Sequence, residues 1–252
     1  MPARDTVRIA AVGDIHTKKN AQGPFLEMFR DMTERADVAL LCGDLTDYGT
    51  PEEAEVLAHD IKSALRIPAL GVLGNHDFET GQQDELVRIM TAAGVVMLDG
   101  DAHEVHGIGF AGAKGFVGGF GRRQLGSWGE PSIKALVHES VEEVLKLEAA
   151  LAKLRTPQKV AVLHYAPIPG TVEGEPPELI PFLGSSRLED PIERYRVSVV
   201  FHGHAHHGSP EGRTRGNVPV FNVAMPLLKR MFPDRLPYKL FEIPVGVESP
   251  VA

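Results

Sequence analysis

The sequence has little of what secreted and membrane proteins depend on. Its 252 residues include one cysteine, so it has no internal disulfide framework. It contains no apolar run long enough to span a bilayer, and Met1–Arg8 lack the apolar core of a signal peptide. These absences predict a cytoplasmic protein without a membrane partner. The lone cysteine, Cys42, lies in an apolar run, where a small buried side chain is expected rather than a nucleophile.

Positive charge is also scarce. The chain has 26 lysine and arginine residues against 34 aspartate and glutamate residues, which gives a formal net charge of −8. Because general nucleic-acid binders usually carry a basic surface, nucleic acid is not an expected partner. The hydrophobic fraction of 43% and the charged fraction of 24% are ordinary for a globular protein. The chain shows no internal repeat and no convincing linker, so we expect one domain over residues 1–252.

Strand and helix signals alternate along the chain, which predicts an α/β fold. Two helices are well marked: one from Pro51 to about Leu65, behind a capping box of Thr50 and Glu53, and a longer one over Pro131–Leu154. Runs of apolar and β-branched residues predict buried strands. Five of these runs matter most for function: Val7–Val12, Val38–Cys42, Ala69–Leu73, Val160–Leu163 and Val197–Phe201.

Polar side chains follow each of these five runs at the point where the strand should end. The segments are Gly13-Asp14-Ile15-His16, Gly43-Asp44, Gly74-Asn75-His76-Asp77, His164 and His202-Gly203-His204. Because open α/β sheets bind ligands beyond the carboxyl ends of their strands, these segments are expected to meet at one edge. They offer carboxylate, imidazole and amide oxygen without thiolate, a set that suits Mn, Fe or Zn. The pattern therefore predicts a metal site.

The number and spacing of these side chains favour two metal ions. Asp14 and His16 are two residues apart, as are His202 and His204, and such residues project to the same side of extended backbone. Each pair is therefore expected to hold one metal together. Seven ligands are too many for one tetrahedral ion and suit two ions that share a bridging carboxylate. The candidate ligands are Asp14, His16, Asp44, Asn75, His164, His202 and His204.

The motif order Asp-x-His, Gly-Asp, Gly-Asn-His-Asp, His and Gly-His-x-His resembles that of the calcineurin-like metallophosphoesterases, from Asp14 to His204. The resemblance implies a four-layer α-β-β-α sandwich of two mixed β-sheets flanked by helices. It implies a phosphoesterase with two metal ions, Mn, Fe or Zn, of which Mn or Fe is favoured. By motif, one metal is held by Asp14, His16 and His204, the other by Asn75, His164 and His202, and Asp44 bridges them.

The same resemblance implies the catalytic groups. A metal-bound hydroxide would attack phosphorus in line, and His76 would stabilise the phosphate and protonate the leaving oxygen. A carboxylate should orient His76. Asp47 matches the position of the orienting carboxylate in the protein phosphatases, and Asp77 is the second candidate. For Asp77, a role in stabilising a turn is equally well supported.

Departures from the family pattern narrow the substrate class. Tyr48 follows Asp47 where the protein phosphatases carry an arginine, and Asp77 stands where they carry a glutamate. This favours a small phosphomonoester or phosphodiester as the substrate. The alternatives are a nuclease of the same superfamily and a non-catalytic scaffold that retains the metal site. Specificity is expected in loops such as Tyr165–Ser186, and the oligomeric state is left open.

The sequence does not decide the role of two further sets of residues. His206 keeps the two-residue phase of His202 and His204, and it is either a contact near the site or a solvated loop residue. Lys114, Arg122 and Arg123 flank a glycine-rich loop and could bind phosphate oxygens. A solvated position in that loop is the stronger expectation for these cations.

Overall fold

Two β-sheets lie face to face at the centre of the fold, in a computed structural model that describes residues 5–246. The first sheet contains β1 (Thr6–Val12), β2 (Val38–Cys42), β3 (Ala69–Val72), β4 (Val95–Met97) and β11 (Lys239–Pro244). Its order is β11-β1-β2-β3-β4, and all of its strands are parallel except the antiparallel edge strand β11.

The second sheet contains β5 (Asp101–Val105), β6 (Ile108–Gly112), β7 (Lys159–Val162), β8 (Val199–His202), β9 (Glu211–Arg213) and β10 (Pro219–Asn222). Its order is β5-β6-β7-β8-β10-β9, with four parallel central strands and an antiparallel strand at each edge. Parallel strands that are covered on both faces are apolar along their whole length. This explains why the central strands appear in the sequence as continuous apolar runs.

Helices cover the outer faces of both sheets. The first sheet packs against α1 (Leu26–Arg35), α2 (Pro51–Ala64) and α3 (Gln83–Ala92). The second packs against α4 (Pro131–Lys153) and α5 (Glu189–Arg194), and α6 (Met225–Met231) precedes β11. The predicted four-layer arrangement of two mixed sheets flanked by helices is therefore confirmed. Within residues 5–246, no helix combines the length and the apolar character needed to cross a bilayer.

Strand β1 shows how one strand supplies two cores. Val7, Ile9 and Ala11 point into the apolar layer between the sheets. Ala10 and Val12 point the other way, into the layer beneath the helices. Because successive side chains alternate between the faces of a strand, an uninterrupted apolar run is what this position in the fold requires.

Strands β5 and β6 form a hairpin in which β5 ends at Val105 and β6 begins at Ile108. The sequence pattern does not reveal this turn, because apolar residues continue through Val105–Ala111 and predict one short strand there. His106 and Gly107 form the tip of the hairpin with φ angles of 52° and 81°. Two consecutive residues with positive φ give the tight turn that matches the twist of paired antiparallel strands.

We expect Phe201→Ala to lower the free energy of unfolding by about 3–5 kcal/mol, because truncating a buried aromatic residue leaves a cavity. Phe201 is fully buried between the sheets, and its ring centroid lies 5.7 Å from that of Phe221 and 6.0 Å from that of Phe241. Urea denaturation measures the change. Trp128→Ala is the matched control, because Trp128 is 66% exposed and its loss should change stability by about 0.5 kcal/mol or less. Equal urea midpoints for the two variants would contradict this account of the core.

Candidate metal centre

Hydrogen bonds donated by main-chain N–H groups tie together the loops after β1, β2 and β8 at one edge of the sandwich. The N–H of Asp14 donates to the carbonyl of Gly43 at 2.9 Å, and the N–H of His16 donates to the carbonyl of Asp44 at 3.0 Å. The N–H of His204 donates to both carboxylate oxygens of Asp14 at 2.9 Å. Strand ends of both sheets therefore bring their polar side chains to one place.

A first cluster of metal-ligand atoms forms from four of these side chains. Asp14, His16, Asp44 and His206 each place one ligand atom within 4.8 Å of the others. Nε2 of His206 lies 2.9 Å from Oδ1 of Asp14 and 3.4 Å from Nε2 of His16. Two carboxylates and two imidazoles thus surround one position that a cation could occupy.

A second cluster lies beside the first. Asp44, His164 and His204 again place their ligand atoms within 4.8 Å of one another. Oδ1 of Asn75 joins them, 2.9 Å from Nε2 of His164. Asp44 belongs to both clusters, since its Oδ1 lies 3.4 Å from Nε2 of His164 and its Oδ2 lies 3.8 Å from Nε2 of His16.

Hydrogen bonds on the outer nitrogens fix the orientation of the imidazoles. Nδ1 of His164 lies 3.0 Å from the carbonyl oxygen of Cys42, and Nε2 of His204 lies 3.2 Å from that of Phe182. Because a carbonyl only accepts, each of these nitrogens carries the proton. The other nitrogen of each ring is left with its lone pair, as metal binding requires.

His76 lies at the edge of the two clusters. Its ring centroid is 4.6 Å from that of His16, and its Nδ1 lies 2.7 Å from the main-chain carbonyl oxygen of Asp47. The partner of His76 is therefore the backbone of Asp47 and not the carboxylate expected from the sequence. The Asp47 carboxylate instead lies 3.5 Å from Nδ1 of His16, through its Oδ1.

The Asp77 carboxylate stabilises the turns around the site. It accepts hydrogen bonds from the N–H groups of Gly74, Leu45 and Thr46 at 2.8, 3.1 and 2.9 Å, and from the Thr46 hydroxyl at 2.6 Å. It is fully buried. Of the two roles considered for Asp77, this geometry fits the turn-stabilising one and not the orientation of His76.

His202 does not fit the role of metal ligand expected from the sequence. Its Nδ1 lies 2.8 Å from the carbonyl oxygen of Gly203, and its Nε2 lies 2.8 Å from the hydroxyl of Thr171. Both ring nitrogens are thus engaged inside the protein, and His202 is absent from the ligand clusters found within residues 5–246.

His206 takes the place in the first cluster that was expected for His204, and His204 lies in the second cluster. The two-residue rule assumed extended backbone, but Asp14, His16 and His204 have φ angles of 52°, 47° and 70°. The segment Gly203-His204-Ala205-His206 is itself a Gly-His-x-His motif, and this motif contains His204 and His206, the two histidines that the structure places in the clusters.

Backbone strain is concentrated at this site. Within residues 5–246, seven non-glycine residues have a positive φ, and four of them belong to the clusters: Asp14, His16, Asp44 and His204. This left-handed conformation is unfavourable for residues with a Cβ and persists where surrounding structure enforces it, often at functional sites. The main-chain hydrogen bonds between the loops supply that enforcement here.

The motif glycines make room for the carboxylates. A Cβ atom at Gly203 would overlap Oδ2 of Asp14, and a Cβ atom at Gly74 would overlap Oδ1 of Asp44. At both positions the backbone approaches a buried carboxylate too closely for any side chain. The glycines are therefore part of the site although they offer no ligand atom.

The electrostatics of the clusters call for cations. Burial, with the charges of Asp14 and Asp77, raises the pKa of Asp44 to about 9. Burial lowers the pKa of His204 to about 3 and holds that of His164 well below its ordinary value, so these imidazoles are neutral at pH 7. With a pKa of about 9, Asp44 stays protonated at pH 7 unless a cation lies beside it. Metal ions would supply that positive charge and allow Asp44 to ionise, so the donor set fits metal ions.

Comparison with known proteins agrees with this site. The family model of the calcineurin-like phosphoesterases matches residues 7–208, about four fifths of the chain. The chain belongs to the calcineurin-like phosphoesterase family. Membership assigns the protein to the metallophosphoesterases, hydrolases of phosphate esters, and confirms the resemblance found in the sequence. No curated protein matches the chain.

Solved structures share the fold at low sequence identity. Phosphopantetheinyl hydrolase of Mycobacterium tuberculosis has a TM-score of 0.67 and 18% identity, over 96% of this chain and 98% of that one. A Thermus thermophilus protein, TT1561, has a TM-score of 0.57 and 15% identity, over 95% and 99% of the two chains. GAP50, described as the anchor in the inner membrane complex of Plasmodium, has a TM-score of 0.57 and 12% identity, over 96% and 82%.

Asp77→Asn should lower the free energy of unfolding by about 1–3 kcal/mol, because an amide nitrogen would replace one oxygen that accepts from buried N–H groups. Urea denaturation measures this loss. Asp234→Asn removes a charge from an exposed position and should leave stability nearly unchanged. An Asp77→Asn protein as stable as the parent would show that the turns around the site do not depend on this carboxylate.

Proposed function

We propose that this protein hydrolyses small phosphate esters with two metal ions that share Asp44. The observation that supports the pair is the position of the Asp44 carboxylate, whose two oxygens face two separate ligand clusters. In this proposal one metal is held by Asp14, His16, Asp44 and His206, and the other by Asp44, Asn75, His164 and His204. Oxygen and imidazole ligands suit Mn, Fe or Zn, and we favour Mn or Fe.

The residues around the metals have distinct tasks. When bound, two such ions lower the pKa of water and neutralise phosphate oxygens. The carbonyl of Asp47 holds the proton of His76 on Nδ1, so Nε2 is the atom that can carry a proton to the leaving oxygen. Tyr48 occupies the position of the phosphoprotein-binding arginine, which supports a small phosphomonoester or phosphodiester as the substrate.

The phosphopantetheinyl hydrolase that shares this fold suggests including a phosphopantetheinyl compound in a substrate panel. A scaffold without turnover is the second candidate, and the description of GAP50 as an anchor is the observation that keeps it open. The presence of carboxylate, imidazole and amide ligand groups at the clusters supports the enzymatic function over the scaffold function. Assaying turnover of mono- and bis-(p-nitrophenyl) phosphate by metal-loaded protein distinguishes the enzyme from the scaffold.

A nuclease of the same superfamily is a further alternative. Incubation of the protein with single- and double-stranded DNA and manganese tests it.

We expect His76→Ala to lower kcat/KM about 10²- to 10⁴-fold for an alkyl phosphate, whose leaving oxygen needs a proton. The loss should be much smaller for p-nitrophenyl phosphate, because p-nitrophenolate leaves without protonation. Steady-state kinetics on both esters measures the difference. His138→Ala removes a 73% exposed imidazole from α4 and serves as the control. Equal losses on the two esters would exclude His76 as the general acid.

Metal analysis decides between His206 and His202. His206→Ala should lower the bound metal by about one equivalent per chain and lower turnover, because the first cluster loses a ligand. His202→Gln should retain the metal of the parent protein, because both ring nitrogens of His202 are engaged elsewhere. Elemental analysis after dialysis measures both. Loss of metal from His202→Gln, with full occupancy in His206→Ala, would restore the ligand set expected from the sequence.

A further inference from the structure

An ammonium group enclosed by aromatic rings lies next to the second ligand cluster. Nζ of Lys114, in the loop after β6, lies 4.7 Å from the ring centroid of Phe116 and 5.4 Å from those of Phe78 and Tyr165. We call these four residues the Lys114 cup. Phe78 is 40% exposed, so the cup opens to solvent at that ring. The sequence favours a solvated lysine here, but the structure half-buries it.

The cup shares its walls with the metal centre. The ring centroid of Tyr165 lies 5.4 Å from that of His164 and 4.4 Å from that of His204. Phe78 lies in the same short helical turn as His76. The ring of Tyr165 therefore borders both the ammonium of Lys114 and the second cluster.

Among the described residues, the ammonium of Lys114 has no direct ion pair, and the carboxylates of Glu143, Glu139 and Asp99 act on it only from a greater distance. Its ammonium donates one hydrogen bond, to the carbonyl of Gly115 at 3.0 Å. The buried carboxylate of Glu143 is engaged by the N–H of Gly115 at 2.8 Å and by Lys146 at 2.9 Å. The part of the chain that the structure describes gives Lys114 no carboxylate at ion-pair distance. Burial lowers the pKa of Lys114, which reflects the cost of keeping this charge away from water.

We propose that Lys114 binds a second anionic group, a phosphate or a carboxylate, on the leaving-group side of the substrate. The substrate class is then a phosphate ester that carries such a group. A charge-assisted hydrogen bond in a partly buried site is stronger than one in water, and the aromatic walls suit the organic part of the leaving group. This inference rests on the proposed function, because it takes the scissile phosphate to lie at the ligand clusters.

The experiment measures binding of non-hydrolysable ligands to the manganese-loaded protein by calorimetry. The probes are alkane bisphosphonates with phosphonates at both ends, of roughly two to six methylenes, and the alkyl monophosphonates of the same lengths. A bisphosphonate that spans the distance should bind about 10- to 100-fold more tightly than its monophosphonate, as expected for one hydrogen bond between charged groups. The length at which the preference appears measures the distance from the clusters to Lys114.

Lys114→Met should abolish this preference and change monophosphonate affinity less than about 3-fold, because an unbranched methionine retains the packing against the rings. Arg122→Met removes one positive charge from an exposed site in the same loop and should retain the preference. Equal binding of the two ligand series by the parent protein, or a preference that survives Lys114→Met, would overturn the inference. An unchanged urea midpoint shows that the variant is folded.

The two proposals fail in different ways. A parent protein that does not turn over p-nitrophenyl phosphate and binds no monophosphonate counts against the proposed function. A parent protein that hydrolyses this ester without any preference dependent on Lys114 counts against the role of Lys114 alone. Panels of sugar monophosphates and bisphosphates, and of phosphate esters with and without a carboxylate, then identify which second anion the cup accepts.

Discussion

The close approach of two buried carboxylates, Asp14 and Asp44, is the constraint on which the metal centre depends. Both side chains are almost fully buried, and each accepts from main-chain N–H groups: Asp14 from His204 and Asp44 from His76. Those bonds do not offset burial and the neighbouring charges, which raise the pKa of Asp44 to about 9, so Asp44 is protonated at pH 7 unless a cation lies beside it. Ionising both carboxylates without a cation would cost several kcal/mol. Cations between the carboxylates and the imidazoles would offset that cost.

The rest of the fold can be understood as what holds these side chains in place. Two sheets, packed through a layer of apolar side chains, bring strand ends from distant parts of the chain to one edge. Short loops then turn the ligands inward with strained backbone at Asp14, His16, Asp44 and His204. The strain is tolerated because each loop is hydrogen-bonded to another, and because Asp77 satisfies several of the N–H groups that the turns leave free.

The fold and most of the site could be predicted from the sequence, because the same residues signal both. A buried parallel strand is a continuous apolar run, and its carboxyl end shows as the first polar ligand residue. The spacing of the histidines in the last motif, His202 to His206, could not show which two of them are ligands. The two-residue rule holds in extended backbone, and His204 has a φ of 70°, so His202 and His204 point to different surroundings. The motif Gly203-His204-Ala205-His206 contained that information, whereas alternation along a strand did not.

The burial of Lys114 could not be predicted for a different reason. Phe78 and Tyr165, which cover its ammonium, come from elsewhere in the chain and contact it only in the folded protein.

In the proposed mechanism, Asp47 would link metal binding to proton transfer. Its carbonyl orients His76, and its carboxylate lies 3.5 Å from Nδ1 of His16, a buried nitrogen without a hydrogen-bond partner among the described residues. Coordination through Nε2 of His16 would leave the proton on Nδ1, where the Asp47 carboxylate can accept it in a hydrogen bond. That bond would also steady the backbone that orients His76. In the proposed mechanism, the position of His76 as the general acid would therefore depend on occupancy of the first cluster, although His76 is not one of its ligands.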